Sequence, residues 1–210
     1  LRPMTCQWVD ERRDLLLHVG PDTRVWLVDD RPQATHVVVK VVRGGIRARA
    51  ERAAARHLIE IEHPDLLPVL ARWDDPEPGS EPGLVSVMPY VPGGTLRHLM
   101  DQRGALSAGE VVALLAPVAT VLERLSAHGL VHGDLKPETI LVRSAGRPVV
   151  TDVVGASGLA SPGYLAPELA DPSRPADERS DVFALAVIAY ELLPTRRPHG
   201  SDLERALAAA

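Results

Sequence analysis

Cysteine is nearly absent: Cys6 is the single one in 210 residues. That excludes a disulfide framework within the monomer and suits a reducing compartment. Positive charge is not in surplus either. Against 28 Asp and Glu stand 23 Lys and Arg, a formal net charge of −5, which argues against nucleic acid or an anionic lipid surface as partner. Long hydrophobic runs are missing as well. The longest apolar stretch of note, Val182 to Tyr190, falls well short of the roughly 18 residues a spanning helix needs, so no membrane insertion of this segment is expected. The chain opens at Leu1 without the basic and apolar regions of a signal peptide. Its expected location is the cytoplasm, or the cytoplasmic side of a larger membrane protein.

What is present is 45% hydrophobic residues, enough to bury a core as one large domain or two small lobes. The first third alternates short apolar runs with turn signals. LLLHVG ends at Gly20, VWLV at Asp29 and Asp30, and HVVVKVV before Gly44, a pattern that predicts three strands. Ala, Arg, Glu and Leu from Ile46 to Ile61, with no Gly or Pro, predict a helix that His63 and Pro64 stop. Further strands are expected at Leu66 to Arg72 and Leu84 to Met88, separated by an exposed acidic, proline-rich loop from Asp74 to Gly83.

Beyond VPGGT, Val91 to Thr95, which reads as a flexible joint and domain boundary, the pattern becomes helical. Ser107 and Glu110 form a capping box, after which Val111, Leu114, Leu115, Val118, Leu122 and Leu125 recur at helical spacing, with Pro117 a potential kink. DVFALAVIAYELL, Asp181 to Leu193, is apolar on nearly every side and predicts a helix buried at the centre of a second lobe. The fold class expected is α+β in two lobes, residues 1–90 and 91–210, with a hinge near 88–95 and a ligand cleft between.

The stretch richest in chemistry is HGDLKPETILV, His132 to Val142, which sets an acid and a base two positions apart before an apolar strand. Lys40 interrupts the apolar VVVKVV, where a buried ammonium requires an anion. HPDLLPVL from His63, MPYVPGGTL from Met88, SPGYLAPEL from Ser161 and DVFALAV from Asp181 follow in order. In this order the segments resemble the bacterial serine/threonine protein kinase family, a two-lobed fold with a β-rich first lobe carrying one regulatory helix.

The resemblance implies that Asp134 is the catalytic base and that Lys136 stabilises the transferred phosphoryl group. Lys40 would hold the nucleotide phosphates, and Asp152 would bind magnesium or manganese with Thr139 at the second metal position. Gly20, Val25, Val38, Met88, Pro89, Val91 and Leu141 fall at nucleotide-contacting positions, Met88 as gatekeeper and Pro89 and Val91 through their backbone. Glu51 is the nearest acid to pair with Lys40, although family spacing counted from His63 lands on Ala54. Asp181 would brace the catalytic loop, and Ser161 would stand beside Asp134. ATP with Mg or Mn is the implied cofactor, and a protein is the implied partner or substrate.

Several positions depart from the family pattern. His18, Gly20 and Thr23 stand at the three glycine positions of the phosphate loop, leaving one glycine. Thr139 replaces the metal-binding Asn, and Asp152, Val153 and Val154 replace Asp-Phe-Gly. Val38 adds bulk over the adenine position. Gly133 replaces the arginine that reads a phosphorylated activation loop, and 14 residues separate Asp152 from Pro167, so phosphate-driven loop activation is not expected. These losses point to a pseudokinase-like regulatory or scaffolding domain with weak or absent nucleotide binding. The alternatives are an active serine/threonine kinase and, because His-Gly-Asp also resembles their loop, a small-molecule phosphotransferase.

Overall fold

The computed structural model describes residues 13–19, 23–30, 35–76, 80–171 and 173–194. Cys6, Gly20 and the segment after Pro194 lie outside them. Five strands form one antiparallel sheet: β1 (Arg13–Val19), β2 (Thr23–Asp30), β3 (Thr35–Val42), β4 (Ala71–Asp75) and β5 (Gly83–Pro89), in the order β1-β2-β3-β5-β4. The helix α1 (Ile46–Leu58) crosses between β3 and β4. After β5 come α2 (Leu96–Arg103), α3 (Ala108–Ser126), the short pair β6 (Ile140–Val142) and β7 (Pro148–Val150), and α4 (Glu178–Leu192).

The two-residue period of the strands sorts their side chains onto two faces. Val28, Val37, Val39, Val85 and Val87 form one apolar cluster on one face. The register β3 to β5 pairs Lys40 with Ser86 and Val38 with Met88, while β4 sets Arg72 opposite Ser86. Lys40, Ser86 and Arg72 therefore form one row across three strands, on the opposite face. A second, larger cluster packs α3 and α4 against β6 and β7, with Val118, Val121, Leu125, Ile140 and Ile188 fully buried. It also takes in Ala54, Ile61 and Leu66, so α1 and the segment after it are anchored in the core of the helical part.

Four local expectations are corrected. Residues 66–69 do not form part of β4, and pairing with β5 begins only at Leu70, whose N–H donates to the Val87 carbonyl at 2.8 Å. Pro68 lacks an N–H for a ladder, and the segment instead docks on β7, with Leu67 N–H donating to the Val150 carbonyl at 2.8 Å and Val150 N–H to that of Asp65 at 2.7 Å. The helix α1 ends at Leu58, three residues short of Ile61. The joint after β5 is tied rather than free: Val142 N–H donates to the Gly94 carbonyl at 2.9 Å, and Thr95 caps α2 by accepting from His98 N–H at 3.1 Å. Finally, α4 is not buried all round among the described residues. Asp181, Ala184, Ile188 and Leu192 face the core at helical spacing, while Val182 is 60% exposed and Tyr190 42%.

The capping box forms. Ser107 Oγ accepts from Glu110 N–H and Glu110 Oε2 accepts from Ser107 N–H at 2.9 Å. The predicted apolar stripe of α3 is buried along its whole length, and the helix runs through Pro117 without a break.

Candidate active site

Lys40 lands on the α1 side of the sheet because β3 alternates, and there it is 3% exposed. Its Nζ lies 2.8 Å from Glu51 Oε1 and 2.8 Å from Asp152 Oδ1. A buried ammonium is tolerated only when paired in this way. Burial alone would lower the Lys40 pKa, but the carboxylates of Asp152 and Glu51 outweigh it and the net shift is upward. Burial alone would likewise raise Asp152; Lys40, with Arg47 adding to it, reverses this and holds the carboxyl below its usual range. Of the two α1 positions raised by the sequence, Glu51 meets Lys40, and Ala54 is buried in the core. Asp152 is the one non-glycine described residue with positive φ, at 63°. This costs on the order of 1 kcal/mol, and the ion pair holds it.

Asp134 is 2% exposed and receives four donors. Oδ1 accepts from Ser161 N–H at 3.0 Å and from Ser161 Oγ–H at 2.9 Å, and Oδ2 accepts from Lys136 Nζ at 2.9 Å and Arg47 Nη1 at 3.3 Å. Lys136 Nζ also donates to Ser161 Oγ at 2.7 Å. The loop beneath is held by Asp181, whose carboxylate accepts from His132 N–H at 2.6 Å and Gly133 N–H at 3.0 Å. His132 is fully buried; its Nε2–H donates to the Thr151 carbonyl at 2.9 Å and Nδ1 accepts from Asp134 N–H at 3.3 Å. Both ring positions are thus used by the neutral form. The end of the segment from Ser161 is fastened by Tyr164, which donates to Glu191 at 2.8 Å and accepts from Arg97.

The residues expected around a nucleotide are divided. Val25 and Val38 lie half-buried on β2 and β3, Leu141 half-buried on β6, and Met88 is buried at the end of β5 beside them. Pro89 follows Met88 at the strand end, opposite Val37. Val91 is buried, and its carbonyl accepts from Gly94 N–H at 3.4 Å. Thr139 is turned inward: it is 2% exposed, its hydroxyl accepts from Lys136 N–H at 3.1 Å and donates to the Lys136 carbonyl at 3.0 Å. Magnesium binds through one or two carboxylates and substrate phosphates, retaining waters. Asp152, with 24% of its side chain exposed, offers one such carboxylate; Thr139, consumed by the loop, offers no second ligand. The residues fit one metal–phosphate contact at Asp152 and not two.

The sequence alone does not single out Arg47. It sits one turn before Glu51, where an i,i+4 ion pair is legible, and Nε donates to Glu51 Oε1 at 3.0 Å. Its second link, to Asp134, joins residues 87 apart in sequence and carries no local signal. Arg72 likewise carries no sequence signal, because its partner Ser86 is set by strand register.

The comparisons with known proteins agree with this geometry. The family described as "Protein kinase domain" matches residues 20–208. Serine/threonine-protein kinase PknL of Mycobacterium tuberculosis is 34% identical over 202 residues, covering 90% of this chain and 48% of that protein. Probable serine/threonine-protein kinase PknB of Lactococcus lactis is 30% identical over 190 residues, 82% of this chain and 29% of that protein. Serine/threonine-protein kinase PknA of Mycobacterium tuberculosis is 29% identical, covering 91% of this chain and 48% of that protein. The chain spans about half the length of the first of these relatives. With its α+β architecture and the order Lys40, Glu51, Asp134, Lys136, Asp152, this chain belongs to the protein kinase domain family, alongside bacterial serine/threonine kinases.

Proposed function

We propose that this chain is a pseudokinase-like regulatory or scaffolding domain, with weak or absent nucleotide binding and phosphotransfer, and a protein as its partner. The observation that carries this reading is Thr139, whose one hydroxyl is spent inside its own loop at 3.1 and 3.0 Å. Arg47 adds to it by donating to Asp134 Oδ2 at 3.3 Å, a second cation on the oxygen that Lys136 already holds at 2.9 Å. ATP with Mg or Mn remains the cofactor to test, and its cellular supply makes the cytoplasmic side the working location. Among the described residues no helix is long and apolar enough to cross a membrane.

A second reading, an active serine/threonine kinase, is favoured by Lys40, which lies within 2.8 Å of both Glu51 and Asp152. When bound, the metal nucleotide would supply the phosphoryl group and neutralise its charge. Asp134 would orient a protein hydroxyl and take its proton, and Lys136 would hold charge on the transferred group. The names of the relatives support protein rather than a small metabolite as the acceptor.

A thermal-shift titration with ATP, with and without Mg or Mn, separates the readings, because a ligand that binds only the native state raises its melting temperature. No shift, together with no labelled phosphate transferred to protein, supports the scaffold. A metal-dependent shift lost in Lys40→Ala and Asp152→Ala, with turnover lost in Asp134→Asn, overturns it in favour of the kinase.

A further inference from the structure

Beside the Lys40–Glu51 pair lies a cavity of about 760 Å³ that shares Lys40, Glu51, Met88 and Asp152 with the candidate active site and extends away from it. Its walls are the second half of α1, the segment from Ile61 to Leu70, β4, and the residues Thr151 to Val153. Of the expected nucleotide-contacting positions Lys40 and Met88 line it, whereas Val25, Val38, Pro89, Val91 and Leu141 do not. The space exists in part because the side chains facing it are small. Val153 stands where the family's motif has an aromatic ring, and Ala55, one turn beyond Glu51, contributes a single methyl.

The cavity has a charged end and an apolar mouth. At the charged end Lys40 is matched by two carboxylates, and Glu51 also receives Arg47. Arg72, in the same cross-strand row, is different. Nε donates to Ser86 Oγ at 2.9 Å, and no carboxylate pairs with its guanidinium among the described residues. Burial depresses its pKa, a shift that Glu51 and Asp152 only partly counter. At the mouth, Ile59 is 83% exposed, Leu70 57% and Val69 37%, clustered apolar surface of the kind that marks a binding site. The one lining acid at the rim, Glu62, is exposed to solvent.

We propose that this cavity binds an amphipathic carboxylate, its anionic end on Arg72 and its apolar body against Leu58, Leu67 and Leu70. The volume is that of a small-molecule site. A single unmatched guanidinium calls for a monoanion, and its planar fork fits a carboxylate. A dianion would leave surplus negative charge beside Glu51 and Asp152. The site stands on the sheet register and the cavity, and is independent of whether the chain transfers phosphoryl groups.

The probe is dodecanoate below its micelle concentration, with dodecanol and dodecylammonium as neutral and cationic counterparts, followed by titration calorimetry and by melting in circular dichroism. The expected result is one saturable site per chain for dodecanoate, with a raised melting temperature. Both counterparts should bind at least about tenfold more weakly, the loss expected for one charge-assisted pair. Arg72→Gln should weaken dodecanoate by about the same factor, and Val153→Phe, by filling the cavity, should abolish the site. Absent or unsaturable binding, dodecanol binding as tightly as dodecanoate, or unchanged affinity in either folded variant would overturn the proposal. Should Arg72→Gln fail to fold, Val153→Phe and the alkyl series decide.

Discussion

Gly133 and Gly155 meet backbone to backbone: a Cβ on Gly133 would lie 1.9 Å from the Gly155 carbonyl oxygen. Both have positive φ, at 79° and 66°, and Val154 N–H donates to the His132 carbonyl at 2.9 Å alongside. The departure from family pattern at Gly133 is therefore a packing requirement of this loop pair. Gly133→Ala should destabilise the fold by about 2 kcal/mol through clash and backbone strain. Gly133→Arg, which restores the family residue, should be worse. Chemical denaturation measures both, and wild-type stability in Gly133→Arg would refute the close approach.

The buried pair Lys40–Glu51 should behave as a unit. Glu51→Ala removes one of two carboxylates from an ammonium that is 3% exposed and should cost about 2 kcal/mol. The double variant Lys40→Met, Glu51→Leu should lose less than the sum of the single losses, since each single change leaves a charge behind. Additive losses in a double-mutant cycle would show that the pair is not coupled.

His132 makes stability depend on pH. Burial is the main cause holding its pKa below the usual value, with Asp181 and the Thr151 carbonyl acting in the opposite direction. In the unfolded chain the imidazole takes up a proton near its ordinary pKa of about 6.5, so as pH falls through that value the unfolded state binds more protons and stability drops. Melting temperature should fall between about pH 7.5 and 5.5, and His132→Gln should flatten that slope relative to wild type. An equal slope in the variant would remove His132 from the account.

Ser107→Ala should cost about 1 kcal/mol by opening the capping box of α3. Because α3 supplies seven buried residues to the larger core, the loss should appear as a lower global midpoint in urea. Fraying confined to the first turn, seen by hydrogen exchange without a midpoint change, would contradict this.

The elements most readable in advance were those whose signals are local. The apolar stripe from Val111 to Leu125 and the Ser107 cap lie within one helix, and the strand β3 shows in an unbroken run of β-branched residues. Boundaries were read less well where the deciding partner is distant. The expected strand from Leu66 dissolved because Pro68 cannot join a ladder and residues 65–67 bind β7 instead. In α4 composition hid the exposed side: Val182 and Tyr190 look as apolar as Ile188 and Leu192, yet only the latter pair meets α3 and its neighbours.

By itself the sequence determined the family, the α+β order of elements and the identity of the charged groups, because motif spacing, hydrophobic period and capping are properties of nearby residues. Only the tertiary structure decided which charges neutralise one another. Glu51 rather than Ala54 reaches Lys40, Arg47 reaches Asp134 from another element, and Arg72 is left with a hydroxyl. Those outcomes follow from helix rotation and strand register, through which side chains far apart in the chain come within the few ångströms over which charge pairing acts.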